Sequence, residues 1–274
     1  MYTDIIKIPK ATLYETITRD GCAYGQNVSD ELLSGWPVTI QERCGNYLNI
    51  TTHYGYSGWL KTSDIRSIPQ KESEIWSTSP AIISHGMIDV LEEPRVQSNI
   101  LSTLFMGSTV IPCGTPADGW QKIKTAEGVM GYIPSAALLF SMDDNLSQTE
   151  LRSAILNYAL SFLGTQYRWG GKTKEGIDCS GLTFMSYYMC KILIYRDASI
   201  KDGYPVKEIP FSQIGPADLL YFPGHIALYI GNGKYIHSTG NLKKFGCVIN
   251  SLRPEDNDYR EDLAKSLKTV GSIF

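Results

Sequence analysis

Covalent hydrolysis of an amide needs a nucleophile, a base and something to hold the base, and three residues here have the types and spacing to supply that set. Cys179 stands in Asp178-Cys179-Ser180-Gly181, a turn of small residues followed by an apolar run that reads as a helix from Cys179 to about Ile194. A helix N-terminus carries partial positive charge and favours a thiolate. Its backbone N–H groups lack intrahelical partners and are free to receive the oxyanion of a tetrahedral intermediate. The chain has four histidines; His53 and His85 precede the cysteine, whereas His225 and His237 follow it in segments that read as strands. From His225, positions 225, 227 and 229 face one side of a strand, and Ile226, Leu228 and Ile230 face the other. A three-residue loop, Gly231-Asn232-Gly233, would pair Ile230 with Lys234 and Ala227 with His237. His225 and His237 then become diagonal neighbours on one face, with His237 orienting His225. A two-residue loop would send them to opposite faces.

Around this trio the sequence indicates the elements that must position it. Ser147-Gln-Thr-Glu150 is a capping box, and Leu151, Ile155, Ala159, Phe162 and Leu163 follow at helical spacing before Gly164. Asp218 to Phe222, His225 to Ile230 and Lys234 to Ser238 read as strands, and the tail from Asp256 as a helix and a last strand. Helices followed by a sheet make this part α+β.

The first half carries an internal repeat. Tyr47, Ile50, Thr52, Gly55, Gly58, Trp59 and Leu60 return, 73 residues later, as Trp120, Ile123, Thr125, Gly128, Gly131, Tyr132 and Ile133. Each copy reads as short strands with turn glycines, ending in an aromatic-apolar strand and a small helical turn. Two small barrels are expected, over residues 1–70 and 75–140, with the polar stretch Gln70 to Pro80 as linker.

Composition narrows the function classes. A formal charge of -3 gives no electrostatic footprint for nucleic acid. No apolar run reaches the length of a membrane span. Met1-Tyr2-Thr3-Asp4 does not open a signal peptide, so a cytoplasmic location is expected if the sequence is full length, and a secreted or periplasmic one if a signal was removed. The cysteines at 22, 44, 113, 179, 190 and 247 form no zinc framework, and no metal or organic cofactor is expected.

Tyr167-Arg-Trp-Gly-Gly, Asp178-Cys-Ser-Gly-Leu182, Gly224-His-Ile-Ala-Leu-Tyr-Ile-Gly231 and Tyr235-Ile-His237 occur in the order found in the NlpC-type cell-wall peptidases, which residues 145–274 resemble. That resemblance implies a papain-like core with a Cys179, His225, His237 catalytic set. Residues 1–140, with Gly-Tyr-Ser-Gly-Trp-Leu at 55–60, are similar to tandem bacterial SH3-like domains. This layout resembles the YkfC-like branch, which implies cleavage between γ-D-glutamate and an L-diamino acid in murein peptides with a free N-terminal L-alanine. An ammonium in a closed pocket needs a carboxylate partner. In that branch an Asp at the spacing of Asp197 grips it; the residue after it is often Ser, whereas here it is Ala198. Tyr56 and Glu31 match the remaining positions of the amine pocket, and Asp178 and Ser180 belong to the expected substrate-binding set. A monomer acting on murein-derived peptides is the resulting expectation. Two alternatives stay open at this level: a non-catalytic murein binder, and a thiol amidase or acyltransferase acting on another amide or a lipid.

Overall fold

The computed structural model describes residues 4–18, 24–78, 80–140 and 146–274. Met1 to Thr3 and Cys22 lie outside them. The chain divides into two compact units, Met1–Ser141 and Met142–Phe274, and the whole is a mixture of strands and helices.

The first unit contains β1 (Asp4–Ile6), β2 (Lys10–Ile17), β3 (Gly25–Leu33), β4 (Pro37–Cys44), β5 (Tyr47–Thr52), β6 (Ser57–Lys61) and β7 (Ile65–Ser67). A helix, α1 (Gln70–Thr78), leads to β8 (Ala81–Ile83), β9 (Met87–Leu91), β10 (Ile100–Phe105), β11 (Thr109–Pro112), β12 (Trp120–Lys124), β13 (Met130–Pro134) and β14 (Leu138–Leu139). The two seven-stranded sheets have one topology, β3-β2-β6-β5-β4-β1-β7 and β10-β9-β13-β12-β11-β8-β14. The repeated residues explain why. In both copies the Thr52 or Thr125 hydroxyl accepts the amide of residue 56 or 129, and Gly55 or Gly128 turns the chain at φ +77° or +99°. Gly58 and Gly131 lie where a neighbouring strand crosses, and a Cβ there would strike the carbonyl of Tyr14 or of Leu91.

The stretch expected to link the two copies forms helix α1, between the last strand of one sheet and the first of the other. Pro69 starts it by accepting the amides of Glu72 and Ser73 at 2.9 Å. Arg66 and Lys124 hold Glu72, and Trp76 packs with Ile5, Ile68 and Ala126. A polar composition hid one buried indole. Trp36 Nε1 donating to the Gly107 carbonyl and Thr109 donating to Ser34 join the two sheets directly.

In the second unit, α2 (Gln148–Ser161) is followed by a small hairpin, β15 (Lys172–Thr173) and β16 (Gly176–Ile177), and by α3 (Cys179–Tyr188). Then come β17 (Lys207–Ile209), β18 (Leu219–Phe222), β19 (His225–Gly231), β20 (Lys234–Thr239), β21 (Gly246–Ser251), α4 (Glu261–Ser266) and β22 (Thr269–Ser272). Six of these strands form an antiparallel sheet ordered β17-β22-β18-β19-β20-β21. Both arms of the capping box form: Ser147 Oγ accepts the Glu150 amide and Glu150 accepts the Ser147 amide. Ile155, Ala159 and Phe162 are buried as the spacing predicts, but Leu163 is exposed, because the helix has already ended. The cysteine-bearing helix stops at Tyr188, short of Ile194. Lys191 takes a left-handed φ of +60° and Ile192 donates back to the Tyr187 carbonyl, a helix-ending turn made without glycine. α3 is buried from Cys179 through Tyr187 and packs on α2, β19 and β20, so its start is held in the interior.

The buried indole gives a test of helix α1. Trp76→Ala should lower unfolding stability by about 3 kcal/mol, the cost of an unfilled core site, read as a shifted denaturant midpoint. A shift within error would mean that α1 connects the two sheets without packing on them.

Candidate active site

The helix that begins at Cys179 is set by Asp178. With extended backbone at ψ 178°, Asp178 caps the helix, its Oδ1 accepting the Gly181 amide at 2.5 Å. Its Oδ2 accepts the Gly170 amide at 2.8 Å. Arg196, buried to 2% exposure, donates to both oxygens at 3.2 and 3.0 Å and to Ser180 Oγ at 2.6 Å. Gly181 is a glycine because a Cβ would run into the Gly171 carbonyl. Asp178 and Ser180 thus have their side chains committed to the nucleophile's turn. Arg196 was not legible in the sequence, since a lone Arg beside Tyr195 reads as a solvated charge.

Electrostatics at the sulfur run against the simple expectation of a thiolate. Burial first, then the Asp178 charge, push the Cys179 thiol up to about 11, outweighing backbone hydrogen bonds from Ile226 and Ser180 and the Arg196 charge. The helix terminus favours the anion, but desolvation wins. Burial first and then the Cys179 and Asp178 charges also push the Tyr167 hydroxyl up, which puts that ring beside the nucleophile.

The Ile226 hydrogen bond ties Cys179 to the strand on which His225 is the adjacent residue. His225 Nε2 and His237 Nδ1 are 2.7 Å apart. The register at the histidines is the expected one, which puts Ala227 opposite His237, and only the pair next to the turn differs. Leu228 pairs with Ile236 and Tyr229 with Tyr235, but Gly231 pairs with Lys234, so Ile230 is bulged out. The loop has two residues, Asn232 and Gly233, at φ +53° and +77°, and the bulge supplies the odd residue that restores parity. Both histidines therefore share a face despite the short loop. Burial is the main reason that His225 is pushed down to about 4 and His237 to about 3; the Arg260 charge adds to the first, and the His225 charge to the second. His237 Nε2 lies 2.9 Å from Asn250 Oδ1 on β21, a strand the sequence reading passed over. The short apolar run Cys247-Val-Ile249 is consistent with a strand, but nothing in it marks Asn250 as a partner of His237.

Asp197 and Ala198 lie half-buried just beyond Arg196, and the Tyr195 hydroxyl donates to the Asp197 carboxylate. In the first unit, Glu31 is buried and paired with Lys10 at 3.1 Å. Beside it Asp30 is fully buried and accepts from Tyr54 at 2.5 Å, and Tyr56 stacks on Tyr54. Among the described residues no three His, Cys, Asp or Glu side chains converge to hold a metal ion, and no helix is long and apolar enough to cross a membrane.

Residues 164–255 match the NlpC/P60 family model. Dipeptidyl-peptidase 6 of Lysinibacillus sphaericus is 35% identical over 250 residues, spanning 89% of this chain and 92% of that one. A gamma-D-glutamyl-L-lysine dipeptidyl-peptidase of Bacillus subtilis (strain 168) is 28% identical over 254 residues, 86% of this chain and 79% of the relative. In fold, the chain resembles an NlpC/P60 family protein from Bacillus cereus ATCC 10987, with a TM-score of 0.79 over 97% of this chain and 98% of that one at 17% identity.

The sulfur and the imidazole are thus both uncharged at neutral pH. A thiol at about 11 is protonated below that pH, and a base at about 4 is neutral above it. The difference in 240 nm absorbance between the protein and its Cys179→Ala variant should therefore stay flat from pH 5 to 9 and rise only near pH 11. A thiolate band at pH 7 would show a preformed ion pair instead.

Proposed function

Because the chain belongs to the NlpC/P60 family, we propose that this cysteine peptidase hydrolyses the bond between γ-D-glutamate and an L-diamino acid in murein peptides with a free N-terminal L-alanine. The observation that carries the proposal is the 2.7 Å contact between His225 and His237 on the strand pair beside the helix start at Cys179. Support for the substrate comes from relatives named for dipeptidyl-peptidase activity, one of them toward gamma-D-glutamyl-L-lysine, which align along most of the chain. In this reading the second unit is a papain-like core and the repeated sheets are SH3-like domains, with boundaries at 1–70, 75–140 and 145–274.

In the proposed reaction His225 takes the Cys179 proton as Sγ attacks the γ-carbonyl carbon of D-glutamate. The new C–S bond turns the carbonyl oxygen into an oxyanion, received by N–H groups at the start of α3. His225 then gives its proton to the departing amine as the C–N bond breaks. Water, deprotonated by His225, attacks the thioester and releases L-Ala-γ-D-Glu and the free thiol. His237 holds the ring of His225 throughout. Asp197 is proposed to pair with the L-alanine ammonium; Tyr56 and Glu31 are assigned to the same task on family resemblance, and Ala198 leaves that pocket one hydroxyl short.

Cys179→Ala should abolish cleavage of L-Ala-γ-D-Glu-L-Lys while the protein keeps its melting temperature. His237→Ala should retain a rate above that of His225→Ala, since an orienter contributes less than the base. N-acetylating the substrate removes its charge and strands a carboxylate, which costs about 3–5 kcal/mol. Its kcat/KM should fall by about 10²-fold or more. Equal cleavage of the free and acetylated peptides would remove the amine pocket from the account.

A further inference from the structure

The histidine pair does not end the hydrogen-bonded chain. Asn250 is fully buried on β21, where its pairing partner is Tyr235 and Val248 pairs with His237, so Asn250 and His237 lie on one face as diagonal neighbours. Asn250 Nδ2 donates to the Asp258 carbonyl at 2.8 Å. A carbonyl oxygen only accepts, so this contact determines which end of the amide is which: Oδ1 faces His237. Oδ1 also only accepts, so His237 Nε2 must carry a proton. A neutral imidazole carries one proton, which leaves His237 Nδ1 bare. That bare nitrogen accepts from His225 Nε2 across 2.7 Å. His225, neutral in its turn, is left with a lone pair on Nδ1.

We propose that Asn250 is a positioning residue that sets the protons of both histidines and so leaves Nδ1 of His225 as the nitrogen that receives the thiol proton. The proposal rests on the cysteine-peptidase reading given above. Asn250 is itself anchored from outside the site. The Asp258 carbonyl accepts the Ser251 amide as well as Nδ2, the Asp258 carboxylate is held by Lys234, and Asp256 accepts from Ser251 Oγ. The segment carrying Asp256 and Asp258 thereby clamps the amide in one orientation. Among the described residues, Arg260 and Asp262 also act on the two rings through their charge, the Tyr235 ring lies 5.1 Å from that of His237, and the Phe222 ring lies 5.9 Å from that of His225. The relay works by a preference between tautomers. Without Oδ1, His237 is free to carry its proton on Nδ1, facing the proton of His225, and the base loses its partner.

Two variants separate this from a packing role. Asn250→Leu fills the space but accepts nothing; Asn250→Asp keeps an acceptor at Nε2 while losing the donor to Asp258. Loss of the tautomer-setting acceptor in a hydrolytic triad costs up to about 10⁴-fold in kcat. Asn250 acts one ring further out, so Asn250→Leu should lose about 10²-fold in kcat with KM within about twofold. Asn250→Asp should keep within about tenfold of the wild-type kcat at pH 8, with its acid limb moved to higher pH, because a carboxylate beside His237 favours the charged rings. ¹⁵N NMR of the imidazoles gives a readout independent of turnover: His237 should be the Nε2–H form in wild type and lose that form in Asn250→Leu. Parallel losses of kcat in both variants, or an unchanged His237 tautomer in Asn250→Leu, would overturn the proposal. Cleavage surviving in Cys179→Ala would instead overturn the peptidase reading beneath it. If Asn250→Leu does not fold, the acid-limb shift of Asn250→Asp decides.

Discussion

One buried carboxylate organises the second unit. Asp178 receives two backbone amides, from Gly170 and Gly181, and both arms of the Arg196 guanidinium. A charge so far from water is tolerable only with its hydrogen bonds filled and an opposite charge in contact. Those bonds reach three separate segments: the bend at Trp169 to Gly171, the first turn of α3, and the strip around Arg196. Satisfying Asp178 therefore fixes where α3 starts, and that start is Cys179. The glycines of the motif follow from the same crowding, since a side chain at Gly181 would push the Gly171 carbonyl away.

The same carboxylate has a chemical consequence. Its negative charge, together with burial, opposes ionisation of the neighbouring thiol, and burial likewise keeps both histidines neutral. The resting state that results is an uncharged pair, so charge separation belongs to the attack on the substrate. An interior that disfavours an isolated thiolate and an isolated imidazolium raises the value of every fixed donor near the reacting carbonyl. The histidine relay suits this arrangement, because a base that must take a proton during the attack needs its lone pair aimed beforehand.

Much of this could be read before any coordinates. The motif around Cys179, the capping box at Ser147 and the 73-residue repeat each state a local rule, whether helix start, cap or turn glycine, and local rules are legible in sequence. What failed were contacts between distant segments. The register of the histidine strands follows the expected pairing, but the turn closes with two residues and a bulge at Ile230 in place of a three-residue loop. Trp76 hid a packed helix inside a polar stretch. Arg196 and Asn250 became visible only when folding placed them against Asp178 and His237, since neither has a sequence neighbour that marks its partner. The end of α3 at Tyr188 was missed for a similar reason: Lys191, not glycine, takes the left-handed turn.

The proposed reaction passes through a covalent bond to one sulfur, and that bond is directly observable. Turnover of L-Ala-γ-D-Glu-L-Lys, quenched in acid within the first catalytic cycle and followed by digestion and mass analysis, isolates any acyl-enzyme. The peptide containing Cys179 should carry an added L-Ala-γ-D-Glu acyl group as a hydroxylamine-labile thioester. An acyl group on another residue, or rapid cleavage with Cys179 never modified, would contradict it.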